Sequence, residues 1–236
     1  VKFTCQQVPV EICAFAGFGE LNEYRRKLRE LGLIGVDANG VGFGNLSIRD
    51  GATSRFYITG SATGGIADLI PSHYARVVAY DFAKNWLRCE GSTVASSESF
   101  THAAVYESEP TVFSVIHGHD VKLWAAVLEE EAPATPKGVE YGTPEMAYAV
   151  RNLFKVTDVK RRKIFAMAGH EGGVVAFGRD VGEAFRVLSR AKDSPSASQG
   201  SQKTQISAGH DRIGDSRIGD EEHTNAQRRT SNVQPQ

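Results

Sequence analysis

The residues best suited to chemistry in this chain are histidines. His117-Gly118-His119 follows the β-rich run of residues 111–116. Alternate side chains on a strand point to one face, so the two imidazoles can converge on a single ion. Gly118 between them removes steric obstruction and lets the backbone turn. His170 closes a second apolar run, residues 164–168, and is followed by Glu171-Gly172-Gly173. Three neutral imidazoles at strand ends leave one position of a tetrahedral ion open, which is the catalytic arrangement for zinc. An H-x-H pair is common by itself; the third histidine in a matching place strengthens the metal reading.

A carboxylate lies nearby in sequence. Glu98 and His102 are four residues apart at the head of an expected helix and share a face, where such a pair reads first as surface groups. Ser96 and Ser97 read first as helix caps. Backbone amides at the same helix start would also favour an anion, giving a phosphate site. Asn45, Ser47, Thr59 and Gly60 are expected in two loops at strand ends, where they supply further donors. Gly17-Phe18-Gly19 and the glycine-rich residues 40–44 neither follow a first strand nor open a helix as G-x-G-x-x-G, which argues against a dinucleotide site.

The elements that must carry these groups can be read from periodicity. Leu21, Tyr24, Leu28 and Leu31 recur at helical spacing, and Gly32 supplies a stop. The glycine-rich run of residues 40–49 leads into an alternating strand, a second strand is expected over residues 55–58, and 75–80 and 86–89 pair as a hairpin across Ala83-Lys84-Asn85. A helix starts at Ser96-Ser97-Glu98 and ends before Pro110, residues 111–117 form a strand, and residues 121–128 a helix. Thr143-Pro144-Glu145 opens another helix, because Thr caps and Pro fits the first turn. Strands over 163–168 and 174–177, then a helix through Val181, Ala184, Phe185 and Leu188, complete the folded part. Hairpins mixed with crossover helices, without regular βαβ alternation, predict an α/β protein with a mixed, largely antiparallel sheet covered by helices.

Composition bounds the rest. The chain has 236 residues, a formal net charge of -1 and 41% hydrophobic residues, which fits one large soluble domain and no basic nucleic-acid surface. No apolar run approaches the roughly 20 residues of a membrane span, and the first residues lack the pattern of a signal peptide. Cys5, Cys13 and Cys89 show no C-x-x-C spacing, so reduced thiols in a cytoplasmic protein are expected. Cys13, among apolar neighbours, reads as a small core residue. No aromatic residue follows Phe185. The chain therefore divides into a folded domain, 1–191, and a polar tail, 192–236, expected to be disordered. His210 and His223 in that tail are given no catalytic role.

In order, Gly44-Asn45-Leu46-Ser47, Thr59-Gly60, Ser96-Ser97-Glu98, His102, Pro110, His117-Gly118-His119, Gly142-Thr143-Pro144-Glu145 and His170 make the chain resemble the class II aldolase/adducin family over about residues 20–190. The resemblance implies a three-layer α/β/α sandwich, usually a homotetramer, and carbohydrate metabolism. It implies a zinc ion, or another divalent metal, on His117, His119 and His170, with Glu98 as acid/base. It also implies substrate phosphate on Asn45, Thr59, Gly60, Ser96 and Ser97. The expected activity is that of a zinc-dependent aldolase-type lyase acting on a small phosphorylated hydroxy-carbonyl compound. The alternatives are a dehydratase, epimerase or decarboxylase of the same family, or a non-catalytic adducin-like binding module. Neither nucleic acid nor membrane is an expected partner.

Several positions depart from the family pattern. His-Thr-His-Ser is here His117-Gly118-His119-Asp120, and Asn-His-Gly is Gly169-His170-Glu171. Thr59-Gly60-Ser61 replaces Thr-Pro-Thr-Gly, with Thr63-Gly64 soon after. The C-terminal tyrosine that the aldolases bring to the active site has no counterpart.

Overall fold

The computed structural model describes residues 2–194. In chain order they form β1 (Thr4–Val8), α1 (Phe18–Glu30), β2 (Gly35–Val36), β3 (Gly42–Phe43), β4 (Asn45–Arg49), β5 (Phe56–Thr59), a 3-10 turn (Pro71–His73), β6 (Tyr74–Asp81) and β7 (Trp86–Glu90). They continue through α2 (Ser99–Ser108), β8 (Ser114–His119), α3 (Val121–Glu129), β9 (Ala134–Thr135), α4 (Pro144–Val156), α5 (Val159–Arg162), β10 (Ile164–Met167), β11 (Gly173–Gly178) and α6 (Val181–Lys192). The expected tail, with His210 and His223, lies outside the described residues beyond residue 194. The last helix reaches Lys192, past the expected boundary at Ala191.

Nine strands join in the order β1-β7-β6-β5-β4-β8-β11-β10-β9. Only the outermost pairs, β1 with β7 and β9 with β10, are parallel. Alternation then sorts the side chains into two apolar layers. Phe56, Ile58, Val77, Val115, Val175 and Phe177 pack with α2 and α4 on one face. Leu46, Ile116, Val174 and Ala176 pack with α1, α3 and α6 on the other. The result is the expected α/β/α sandwich with a mixed, largely antiparallel sheet.

Local chemistry explains the helix starts. Thr143 accepts the Met146 N–H at 3.3 Å with Pro144 in the first turn, as expected. Asp120, which stands where the family pattern has serine, caps α3 by accepting the Leu123 N–H at 2.9 Å and pairs with Lys192.

Four expectations are corrected. Asn45 and Ser47 lie within β4 and Thr59 ends β5, rather than sitting in loops. The chain does not turn at Gly118; β8 continues through His119, and the missing side chain admits Leu188 on the opposite face, 3.0 Å from where a Cβ would stand. Cys13 is exposed rather than in the core. Glu98 and His102 are fully buried, not surface groups, because α2 packs flat between the sheet and α4.

Candidate active site

One end of the central strands carries the chemistry. In the sheet His117 lies between Asn45 of β4 and Val175 of β11, and His119 lies opposite Gly173. His170 sits in the tight turn from β10 to β11, where its N–H donates to the Met167 carbonyl at 2.9 Å. The ring centroids of His117 and His170 are 5.4 Å apart, those of His119 and His170 4.9 Å, and those of His117 and His119 6.1 Å. Two glycines permit this crowding. A Cβ on Gly173 would stand 2.6 Å from His170 Cδ2, and one on Gly172 would stand 2.6 Å from the His119 ring. Gly169 is equally constrained, since its Cβ would meet the Val139 carbonyl at 2.3 Å.

Burial sets the protonation of this cluster. It holds the imidazoles of His117, His119 and His170 below their ordinary range, His170 at about 4. All three are therefore neutral at pH 7, the form that ligates a metal. A tetrahedral ion at about 2.0–2.1 Å from three imidazole nitrogens would space their rings by about 5 Å, close to the separations present. As they stand, no group of three or more His, Cys, Asp or Glu side chains among the described residues is placed to hold a metal ion; the fit rests on the ring separations and the neutral state of the three imidazoles.

The buried polar atoms without partners fit such a group. Asn45 Nδ2 lies 3.3 Å from His117 Nδ1, while Asn45 Oδ1 and His117 Nε2 are buried and unpartnered. Turning the amide lets Oδ1 accept from Nδ1–H and leaves the Nε2 lone pair free, the usual support for a ligating imidazole.

Glu98 caps the same end from α2. It is 2% exposed, its Oε2 accepts the Thr101 hydroxyl at 2.8 Å, and its Oε1 is buried without a partner. Burial raises its carboxyl to about 7, against the opposing pull of the Thr101 bond and the Lys2 charge. Ser96 sits beside it, its hydroxyl 3.4 Å from the Glu98 N–H. One turn further into the core, His102 Nδ1 and the Tyr106 hydroxyl each lie 2.7 Å from Ser47 Oγ. This trio braces α2 against β4.

These groups open into a cleft of about 410 Å³ whose lining includes Asn45, Gly60, Ser96, Ser97, Glu98, His117, His119 and His170. Thr59 does not line it; its hydroxyl takes the Leu46 N–H at 3.4 Å. The wall there is residues 60–64 instead. Sequence reasoning also passed over Tyr141, whose ring lies 4.4 Å from that of His170 with Lys2 Nζ 3.9 Å from its centroid. Its position just ahead of Gly142-Thr143-Pro144-Glu145 was the available signal. Phe43, 5.8 Å from the His119 ring, gave none.

An α/β/α sandwich with three converging imidazoles and a buried carboxyl at one sheet end defines the class of protein. Residues 36–194 match the family described as Class II Aldolase and Adducin N-terminal domain, and the chain belongs to that family. Among solved structures it is similar to an L-fuculose 1-phosphate aldolase, at 22% identity and TM-score 0.57, covering 80% of this chain and 86% of that one. It is also similar to the L-fuculose-1-phosphate aldolase from Thermus thermophilus, at 20% and 0.54, covering 82% and 97%. A third is YgbL from Klebsiella pneumoniae, described as a putative aldolase/epimerase/decarboxylase, at 18% and 0.57, covering 77% and 86%. At these identities the likeness establishes the fold. No curated protein sequence matches the chain. No helix among the described residues is long and apolar enough to cross a membrane.

Proposed function

We propose that the chain is a divalent-metal-dependent lyase of the aldolase type, acting on a small phosphorylated hydroxy-carbonyl compound. One observation carries the reading. Three neutral imidazoles and a carboxyl poised near pH 7 meet in one cleft, and His117 Nε2 and Glu98 Oε1 are buried there without partners. His117, His119 and His170 would hold the ion, with zinc the favoured identity on the donor set. A bound ion supplies Lewis-acid polarisation of a carbonyl and its neighbouring hydroxyl.

The protein's own groups do the rest. Glu98 moves the proton at Oε1, because a carboxyl near 7 both takes and gives a proton at neutral pH. Asn45 fixes the His117 ring. Ser96, Ser97 and Gly60, with the wall that follows it, position the anionic end of the substrate, so binding energy goes into orientation. Thr59 serves at one remove, by holding β5 to β4. A cytoplasmic homotetramer belongs to the same proposal.

The test is metal analysis of wild type beside His117→Ala, followed by aldehyde release from a panel of ketose 1-phosphates. Stoichiometric zinc in wild type, lost in the variant, with release from one substrate, is the expected result. Zinc that persists unchanged in His117→Ala would sink the site. Zinc without turnover on any phosphorylated sugar would favour the epimerase, dehydratase or decarboxylase reading.

A further inference from the structure

The wall formed by residues 60–64, together with Gly65 after it, leaves a run of backbone donors unused. The N–H of Gly60 goes to the His73 carbonyl, that of Ser61 to Val94, and that of Ile66 to Thr63. Between them, the N–H groups of Ala62, Thr63, Gly64 and Gly65 meet no acceptor among the described residues. Thr63 and Gly64 are buried and line the cleft. Buried backbone donors are almost always paired, so those of Thr63 and Gly64 beside the cleft mark a place for an acceptor, with the exposed Ala62 and Gly65 on either side. Ala62 stands at φ 62, in the left-handed region that anion-binding concavities of successive amides use.

The carbonyls of the same segment show what orients it. Arg25 Nη2 donates to the Thr63 carbonyl at 2.7 Å, Arg25 Nη1 to that of Ala67 at 3.0 Å, and Arg29 Nη1 to that of Gly64. In a planar trans peptide the C=O and the following N–H point in opposite directions. With the carbonyls of Thr63 and Gly64 drawn to α1, the N–H groups of Gly64 and Gly65 point away from it. Arg25 is moreover 1% exposed and makes no carboxylate ion pair among the described residues. Asp68, the acidic group that acts on it from a distance, is exposed and pairs with Arg26 at 3.4 Å. A buried cation without a counter-ion is costly. The cleft lining itself contains no Lys or Arg.

We propose that Arg25 and Arg29 are positioning residues for an anion seat formed by the amides of residues 62–65. That seat takes a phosphoryl dianion without direct contact from any lysine or arginine. The proposal deepens the phosphate assignment above and rests on it. Arg25 works from behind the loop: it fixes the direction of the amides and supplies the positive field that the bound dianion neutralises. This gives α1, which reads in sequence only as an amphipathic helix, a part in substrate selection.

The test measures inorganic phosphate binding to the whole protein by calorimetry, in wild type, Arg25→Gln, Arg25→Lys, Arg29→Gln and His117→Ala, with zinc content and unfolding midpoint recorded for each. Arg25→Gln is expected to weaken phosphate binding by at least about tenfold, the scale of one lost charge-assisted interaction. Zinc content should stay unchanged, and Arg25→Lys should recover part of the loss. His117→Ala should still bind phosphate, weakened only by the loss of the ion's charge, which separates the seat from the ion. Should Arg25→Gln fail to fold, the half-buried Arg29→Gln carries the test. Phosphate binding unchanged in the folded arginine variants, or lost only with the histidine, overturns the proposal while leaving the phosphate reading intact. Wild-type protein that holds zinc and binds no phosphate overturns both.

Discussion

Replacing Glu98 with glutamine tests the electrostatics of the cleft without reference to any substrate. The carboxyl is buried and raised from its ordinary 4.5 to about 7, chiefly by burial. A group whose folded pKa is raised binds a proton on folding, so stability falls as pH rises between those two values and stays at the lower level above them. The gap between 4.5 and about 7, at about 1.4 kcal/mol per pH unit, amounts to about 3 kcal/mol. The Glu98→Gln variant lacks this titration, while the Thr101 hydroxyl, which donates to Oε2, can donate to the amide oxygen as well. The amide N–H placed at the unpartnered Oε1 position costs about 1–3 kcal/mol at every pH. The informative quantity is therefore the change in the difference between variant and wild type, which should move by about 3 kcal/mol in favour of the variant between pH 4.5 and pH 8. The buried histidines titrate alike in both proteins and cancel. Urea unfolding of chelator-treated protein at several pH values reads it directly, and by melting the same change is about 6–12 °C for a domain of this size. A difference that is flat across that range would show that Glu98 ionises normally in the folded state. The acid/base assignment would then lose its physical basis.

The remaining predictions concern the metal ligands and the catalytic proton. Gly173→Ala should push the His170 ring aside, since the new Cβ would stand 2.6 Å from its Cδ2; bound zinc should fall well below one per chain, and stoichiometric zinc would refute the crowding argument. Asn45→Ala should lower metal affinity by about 10–100-fold, the usual effect of losing the partner of a ligating imidazole; competition with a chelator checks it, and unchanged affinity would mean that Asn45 does not orient His117. Glu98→Gln should keep its metal and lose about 10²–10⁴-fold in turnover, measured on whichever ketose phosphate the wild type cleaves; full activity would remove Glu98 from proton transfer.

What sequence reasoning reached, and what it missed, follow from the range of the interactions involved. His117 and His119 were legible because alternation along one strand fixes their common direction, and His170 because it ends a second apolar strand. The helix starts at Thr143 and the paired strands β6 and β7 depend on neighbours in sequence, and both were read correctly. By contrast, β1 reads Thr-Cys-Gln-Gln-Val and has no apolar alternation. It joins the sheet edge only because β7 offers a free side, in parallel register. The burial of Arg25 depends on residues 63–67 folding back over α1, some forty positions along the chain. Glu98 and His102 looked like a surface pair because α2 carries small and polar residues; the layers on both sides bury it all the same. Tyr141 reaches His170 only once β10 and the segment before α4 lie side by side.

The shifts at Glu98 and at the three histidines share one leading cause acting on opposite charges. The apolar layer beneath the cleft disfavours every charged form, so it keeps the imidazoles unprotonated and holds the carboxyl ready to be neutral. The histidines therefore present their lone pairs chiefly through burial, with repulsion from neighbouring charged groups adding to it at His117 and His170. The lining also lacks lysine and arginine, so the acidic side chain of Asp37 and the partly ionised Glu98 are the charges it carries near pH 7. A divalent ion and a phosphoryl dianion would bring charges of equal size and opposite sign into it. At low local dielectric they attract more strongly than in water. Each therefore favours the other's binding, a coupling that must be reciprocal. The buried guanidinium of Arg25 adds its field on the anion's side of that pair. With both in place, the arrangement would favour ligands that combine a metal-chelating end with an anionic end over ligands that offer only one.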